Sequence, residues 1–162
     1  MEPFLIWLEH TAFSVWVRES PSVVFGFPGL LILHAIGMGF LAGIHTSISL
    51  RILGVAPGIP LNAMRSFFPL LWFGLAINVF SGVSLLIGYP TKALTNPLFY
   101  LKLALIAAAL WTLRWTQRHV IGHVTWPAAA GRVAGLSIFF WFSAIFAGRW
   151  LAYTYVKLMS GE

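Results

Sequence analysis

Four apolar runs organise this chain, at about residues 23–50, 67–88, 97–116 and 133–156. A bilayer-spanning helix needs about 20 apolar residues at 1.5 Å rise each, and all four runs meet that length. The segments between them are RILGVAPGIPLNAMR, YPTKALTN and QRHVIGHVTWPAAAGR, whose Pro and Gly break helices. All three connectors are short, which makes successive helices antiparallel neighbours. Ahead of the first run, PFLIWLEHTAFSVWVRESP is too short to cross a membrane and too apolar for a solvated tail. On one continuous helix over residues 3–18, Ile6, Trp7, His10, Phe13 and Val17 share a face, with Glu2 and Glu9 away from its centre. That pattern predicts an amphipathic helix lying at the interface and ended by Pro21. The expected fold is all-α: one membrane domain, residues 1–162, with a four-helix bundle after a short interfacial helix.

Composition strengthens the membrane reading. Charged residues are 9% of the chain and hydrophobic ones 59%, whereas a soluble domain carries roughly 25% charged residues. The net charge of +6 would suggest nucleic acid in a soluble protein. Here the basic residues flank apolar spans, so they read as topology signals and contacts to anionic lipid, with no nucleic-acid partner. The side of the first and third connectors carries Arg51, Arg65, Arg114, Arg118 and Arg132; the opposite side carries Arg18, Lys92, Lys102 and Lys157. By the positive-inside rule this places both termini outside the cytoplasm. MEPFLIWLEH carries two acids and no basic n-region, so a cleaved signal peptide is not expected.

The chemistry that composition allows is narrow. The chain has no cysteine, which excludes thioether-linked haem, thiolate-held iron–sulfur clusters and disulfides. There is no HExxH, no P-loop, no dinucleotide fingerprint and no nucleophile elbow. No acid lies within a span, which counts against ion-coupled transport.

Histidine is what remains. His34 and His45 open and close HAIGMGFLAGIH in the first run. Eleven residues return a helix to within about 20° of its start and advance it roughly 16 Å, so both lie on one stripe at two depths. Gly37, Gly39 and Gly43 lie between them, and small residues admit either a neighbouring backbone or a flat macrocycle. Histidine is a standard axial ligand of haem iron, and this spacing suits one haem per leaflet. The inner site would pair His45 with His119 or His123, which share a face if the third helix continues past Gly122. The outer site would pair His34 with His10. Arg149, in the outer half of the fourth run, would hold a propionate. Against each assignment stands a plainer role: a hydrogen bond to Ser, Thr or a carbonyl for His34 and His45, solvation for His119 and His123, interfacial placement for His10, and snorkelling for Arg149. Met38 lies on the same stripe, and Asn78 and Ser81 read as interhelical packing.

FLIWLEHTAFSVWVRES, LHAIGMGFLAGI, LRILG, SGVSLLIGYPTKALTNPLFYLKLALI and AGRWLAY together resemble an uncharacterised family of small bacterial four-helix integral membrane proteins over nearly the whole length. The resemblance implies fold and membrane location and carries no chemistry. The architecture is also analogous to b-type cytochrome membrane subunits. The function expected from the histidines is therefore a b-type protein with one or two haems. It would carry electrons within or across the bilayer, between a quinone pool and a redox partner protein, as a homo-oligomer contacting membrane lipids. The alternatives are a cofactor-free scaffold or anchor subunit, and a metal-binding or permease-like protein using the histidine stripe.

Overall fold

The computed structural model describes residues 2–22 and 26–159. Among these residues the chain is helical, with no strand. Helices α1 (Glu2–Glu9) and α2 (Ala12–Glu19) precede α3 (Phe27–Ile52). A 3₁₀ segment (Leu61–Phe67) leads into α4 (Phe68–Gly88). The short α5 (Pro90–Leu94), then α6 (Pro97–His119) and α7 (Ala130–Met159) complete the chain. Four stretches, 27–52, 61–88, 97–119 and 130–154, are long and apolar enough to cross a membrane. This is the pattern of a multi-pass membrane protein. The expected start of the first span, residues 23–25, lies outside the described residues, as does position 161.

Local signals account for the helix ends. Pro28 sits in the first turn of α3, where a missing N–H costs nothing. Asn96 caps α6 by accepting the N–H of Leu98 at 3.0 Å, with Pro97 following it. Gly122 takes φ +83°, a backbone state that favours glycine, so the chain turns away after His119.

The single interfacial helix expected over residues 3–18 is two helices. Thr11 is extended, with ψ 147°, and its hydroxyl accepts the Ser14 N–H at 3.4 Å as the N-cap of α2. A threonine that caps a new helix interrupts the backbone ladder of the preceding one. The expected shared face is corrected accordingly. Leu5, Ser14 and Val17 are buried, while Ile6, Trp7, His10 and Phe13 are exposed. The buried side docks on the end of α4. Arg18 donates from Nη1 to the Gly88 carbonyl at 3.0 Å and to Ser14 Oγ at 2.9 Å, and from Nη2 to the Glu9 carbonyl at 2.8 Å. One guanidinium thus satisfies a carbonyl at the C-terminus of α4 and ties both short helices to it.

The neighbour order across the bundle is α4, α3, α7, α6. At the end formed by the first and third connectors, Ile48, Leu61, Phe68, Leu71, Leu113 and Trp141 form a continuous core. There Arg114 lies over the Trp72 ring at 4.4 Å, linking α6 to α4. Large apolar side chains on the outside, such as Ile32, Phe73, Phe80, Phe139 and Phe146, are exposed, as a lipid-facing surface requires.

The tightest crossing is between α3 and α4. A methyl on Gly37 would stand 2.8 Å from the Gly74 carbonyl oxygen and 2.9 Å from the Asn78 nitrogen. A methyl on Gly74 would stand 2.7 Å from Phe40 Cβ. These backbones touch because neither residue has a Cβ. Gly37→Val should destabilise the bundle by about 1–3 kcal/mol through overpacking, read as a lower midpoint of thermal unfolding in detergent. An unchanged midpoint would mean that the crossing yields without cost.

Candidate functional site

The close-packed core does not extend to the other end of the bundle. Towards α5, helices α3 and α7 part around a cavity of about 1000 Å³. Small-molecule sites run from roughly 300 to 1,000 Å³, so this one accommodates a large group. The α3 wall contains Ala35, Gly39 and Gly43. A methyl on Gly39 or Gly43 would meet nothing within 4 Å. The glycines of the histidine run therefore divide by role: Gly37 admits the backbone of α4, and Gly39 and Gly43 leave the cavity wall flat.

Of the five histidines, only His34 lines this cavity. Its Nδ1 lies 3.0 Å from Ser81 Oγ. Ser81 has one hydroxyl proton, and the Ile77 carbonyl oxygen lies 2.7 Å from it, within the helix. With that proton donated to Ile77, Ser81 accepts from His34 Nδ1–H. A neutral imidazole protonated on Nδ1 carries its lone pair on Nε2. Metal-binding histidines are held in this way, the distal nitrogen fixed by a hydrogen bond that sets tautomer and orientation. Asn78 Nδ2 also donates to the His34 carbonyl at 2.9 Å and anchors that turn of α3. Asn78 and Ser81 read as packing residues in the sequence; they pack, and each also hydrogen-bonds to His34.

His45 is placed differently. It is fully buried against α7. The Trp141 indole, a donor only, gives its Nε1–H to His45 Nδ1 at 2.8 Å. The proton of neutral His45 is then on Nε2, which donates to Ser137 Oγ at 3.1 Å. Ser137 Oγ also lies 3.2 Å from Nδ1. Both ring nitrogens are committed, and His45 joins α3 to α7. The stripe shared by His34 and His45 looks into the seam between α4 and α7, so one imidazole reaches each helix.

The other histidines do not join either of them. His119 is exposed, stacks on Trp115 with ring centroids 4.9 Å apart, and donates from Nδ1 to the Trp115 carbonyl at 2.9 Å. His123 is exposed beyond Gly122, so it does not share a helical face with His119. His10 is exposed and donates from Nδ1 to the Ile6 carbonyl at 2.7 Å. Among the described residues no group of three or more His, Cys, Asp or Glu can hold a metal ion.

The α5 end of the cavity is cationic. Lys92, Lys102 and Arg149 line it, with no acidic side chain among the described lining residues. Arg149 lies over the Tyr153 ring at 5.9 Å. Lys92 Nζ lies 5.6 Å from the Tyr89 ring centroid, and partial burial holds its ammonium below the ordinary lysine value. Arg149 was legible in the sequence as an anion partner. Lys102 was read only as a topology charge, although its position one turn into an apolar span marked it as costly. Chemically, the cavity offers one imidazole, an apolar wall and a positive end.

No protein family, curated protein or solved structure matches the chain.

Proposed function

We propose that the protein is a b-type haem-binding membrane protein with one haem, seated in the α3–α7 cavity and ligated by Nε2 of His34. The observation that carries this reading is the 3.0 Å contact between Ser81 and Nδ1 of the one histidine lining a large apolar cavity, which would leave Nε2 as the free nitrogen. When bound, haem supplies one-electron chemistry. The chain's own contribution would be an imidazole held by Ser81, an apolar cavity open to its surroundings, a glycine wall that admits a planar ring, and Arg149 for a propionate. The electrons would pass between the quinone pool and a redox partner protein. Of the five histidines only His34 lines the cavity, so it would be the one imidazole this chain supplies to the haem. Met38 stands one turn from His34 on the same helix and so approaches from the same side. The test is the visible spectrum of protein purified from haem-replete cells. A Soret band that shifts on reduction and with carbon monoxide supports the reading; a colourless, folded protein ends it.

A cofactor-free scaffold is the second reading, favoured by His45, whose imidazole is spent wholly on joining α3 to α7. For either reading we place the protein in a bacterial inner membrane with both termini outside the cytoplasm, from the arginines of the first and third connectors. A cysteine introduced at position 161 should react with an impermeant thiol reagent in intact spheroplasts. Reaction only after lysis would reverse the orientation.

A further inference from the structure

Lys102 is a cation one turn into a membrane span, and α7 is shaped to receive it. A methyl on Gly148 would stand 3.3 Å from Lys102 Cε and 3.5 Å from its Cδ and Nζ. The lysine stem therefore lies across α7 at a residue without a side chain, and its ammonium ends beside the backbone that carries Arg149. Both side chains line the same cavity. Two like charges lining one apolar cavity, with no acid among its described lining residues, repel each other, and the half-buried Lys102 is costly to desolvate. An anion bound between them removes both penalties. We infer that Lys102 and Arg149, set side by side by Gly148, form a two-cation seat for the paired carboxylates of a planar tetrapyrrole whose ring lies along the Gly39–Gly43 wall. This rests on the haem reading of the cavity. It adds the residue that reading had not assigned, and a reason for the glycine.

The seat can be tested without iron, so that its failure and that of the axial ligand stay separate. The probes are metal-free protoporphyrin IX and its dimethyl ester, which differ only in charge at the carboxyl ends. Binding is read by quenching of tryptophan fluorescence in detergent. The purified wild-type protein should bind the diacid about a hundredfold more tightly than the diester, as expected for two charge-assisted contacts worth about tenfold each. Lys102→Gln and Arg149→Gln should each remove about tenfold of that preference, Lys102→Arg should retain it, and Gly148→Val should weaken it by displacing Lys102. If the wild-type protein binds diacid and diester equally, the seat is refuted even if no variant folds. A double Gln variant that keeps the full wild-type preference for the diacid refutes it as well. Oleate tests the other source of a carboxylate: if it displaces the diacid with the same Lys102 dependence, the seat belongs to a lipid and the tetrapyrrole assignment fails. A diacid preference that persists while hemin shows no His34-dependent spectrum supports the seat and removes the axial ligand.

Discussion

His34→Ala should abolish haem binding: the purified variant should be colourless, or retain less than about a tenth of the wild-type Soret absorbance. Ala at position 34 removes the one imidazole that lines the cavity. None of the other four histidines lines the cavity, so none can substitute. Ser81→Ala should act in the same direction but less strongly. It frees Nδ1–H and lets the imidazole turn, and loss of such an outer partner typically costs 10–100-fold in metal affinity. The variant should therefore retain haem at high concentration and lose it on dilution. Comparing the two separates a ligand from the group that orients it. If His34→Ala keeps the wild-type spectrum, the iron is held elsewhere and the cavity is not its site.

His45→Leu should leave the haem spectrum unchanged and destabilise the protein. Removing the imidazole leaves the Trp141 indole N–H buried without an acceptor, which costs about 1–3 kcal/mol. Trp141→Phe should cost at least as much, because it strands His45 Nδ1 and also shrinks a fully buried side chain. The combined variant His45→Leu/Trp141→Phe should be more stable than the sum of the single losses predicts, since the orphaned donor and acceptor disappear together. The expected coupling is about 1–2 kcal/mol, read from thermal or denaturant unfolding in detergent. Strict additivity would show that the 2.8 Å contact carries no energy. Loss of a haem in His45→Leu would restore the expectation of an inner site at that residue.

These two variants bear on what the residues alone could reveal. The four spans were legible because lipid demands long apolar helices, a one-dimensional property that needs no knowledge of neighbours. The described helices 27–52, 68–88, 97–119 and 130–159 overlap the runs read from the sequence. Breaks in the interfacial segment were less legible. Periodicity places Ile6, Trp7, Phe13 and Val17 on one face only if the helix continues. Thr11 ends that continuity by choosing its own cap, a local competition that hydrophobic spacing does not report.

The histidine stripe marks the limit more sharply. Sequence alone determined that His34 and His45 lie on one side of α3 at two depths, and that small residues separate them, because helical geometry fixes both. Which glycine admits a helix and which faces open space was decided by the tertiary structure, through where α4 crosses and where α7 diverges. The protonation pattern was decided there too. Ser81 lies 47 residues from His34 and Trp141 lies 96 from His45, and only packing brings a hydroxyl to one ring and an indole to the other. Two identical side chains on one stripe thus acquire different chemistry, since an imidazole's free nitrogen depends on what its other nitrogen meets.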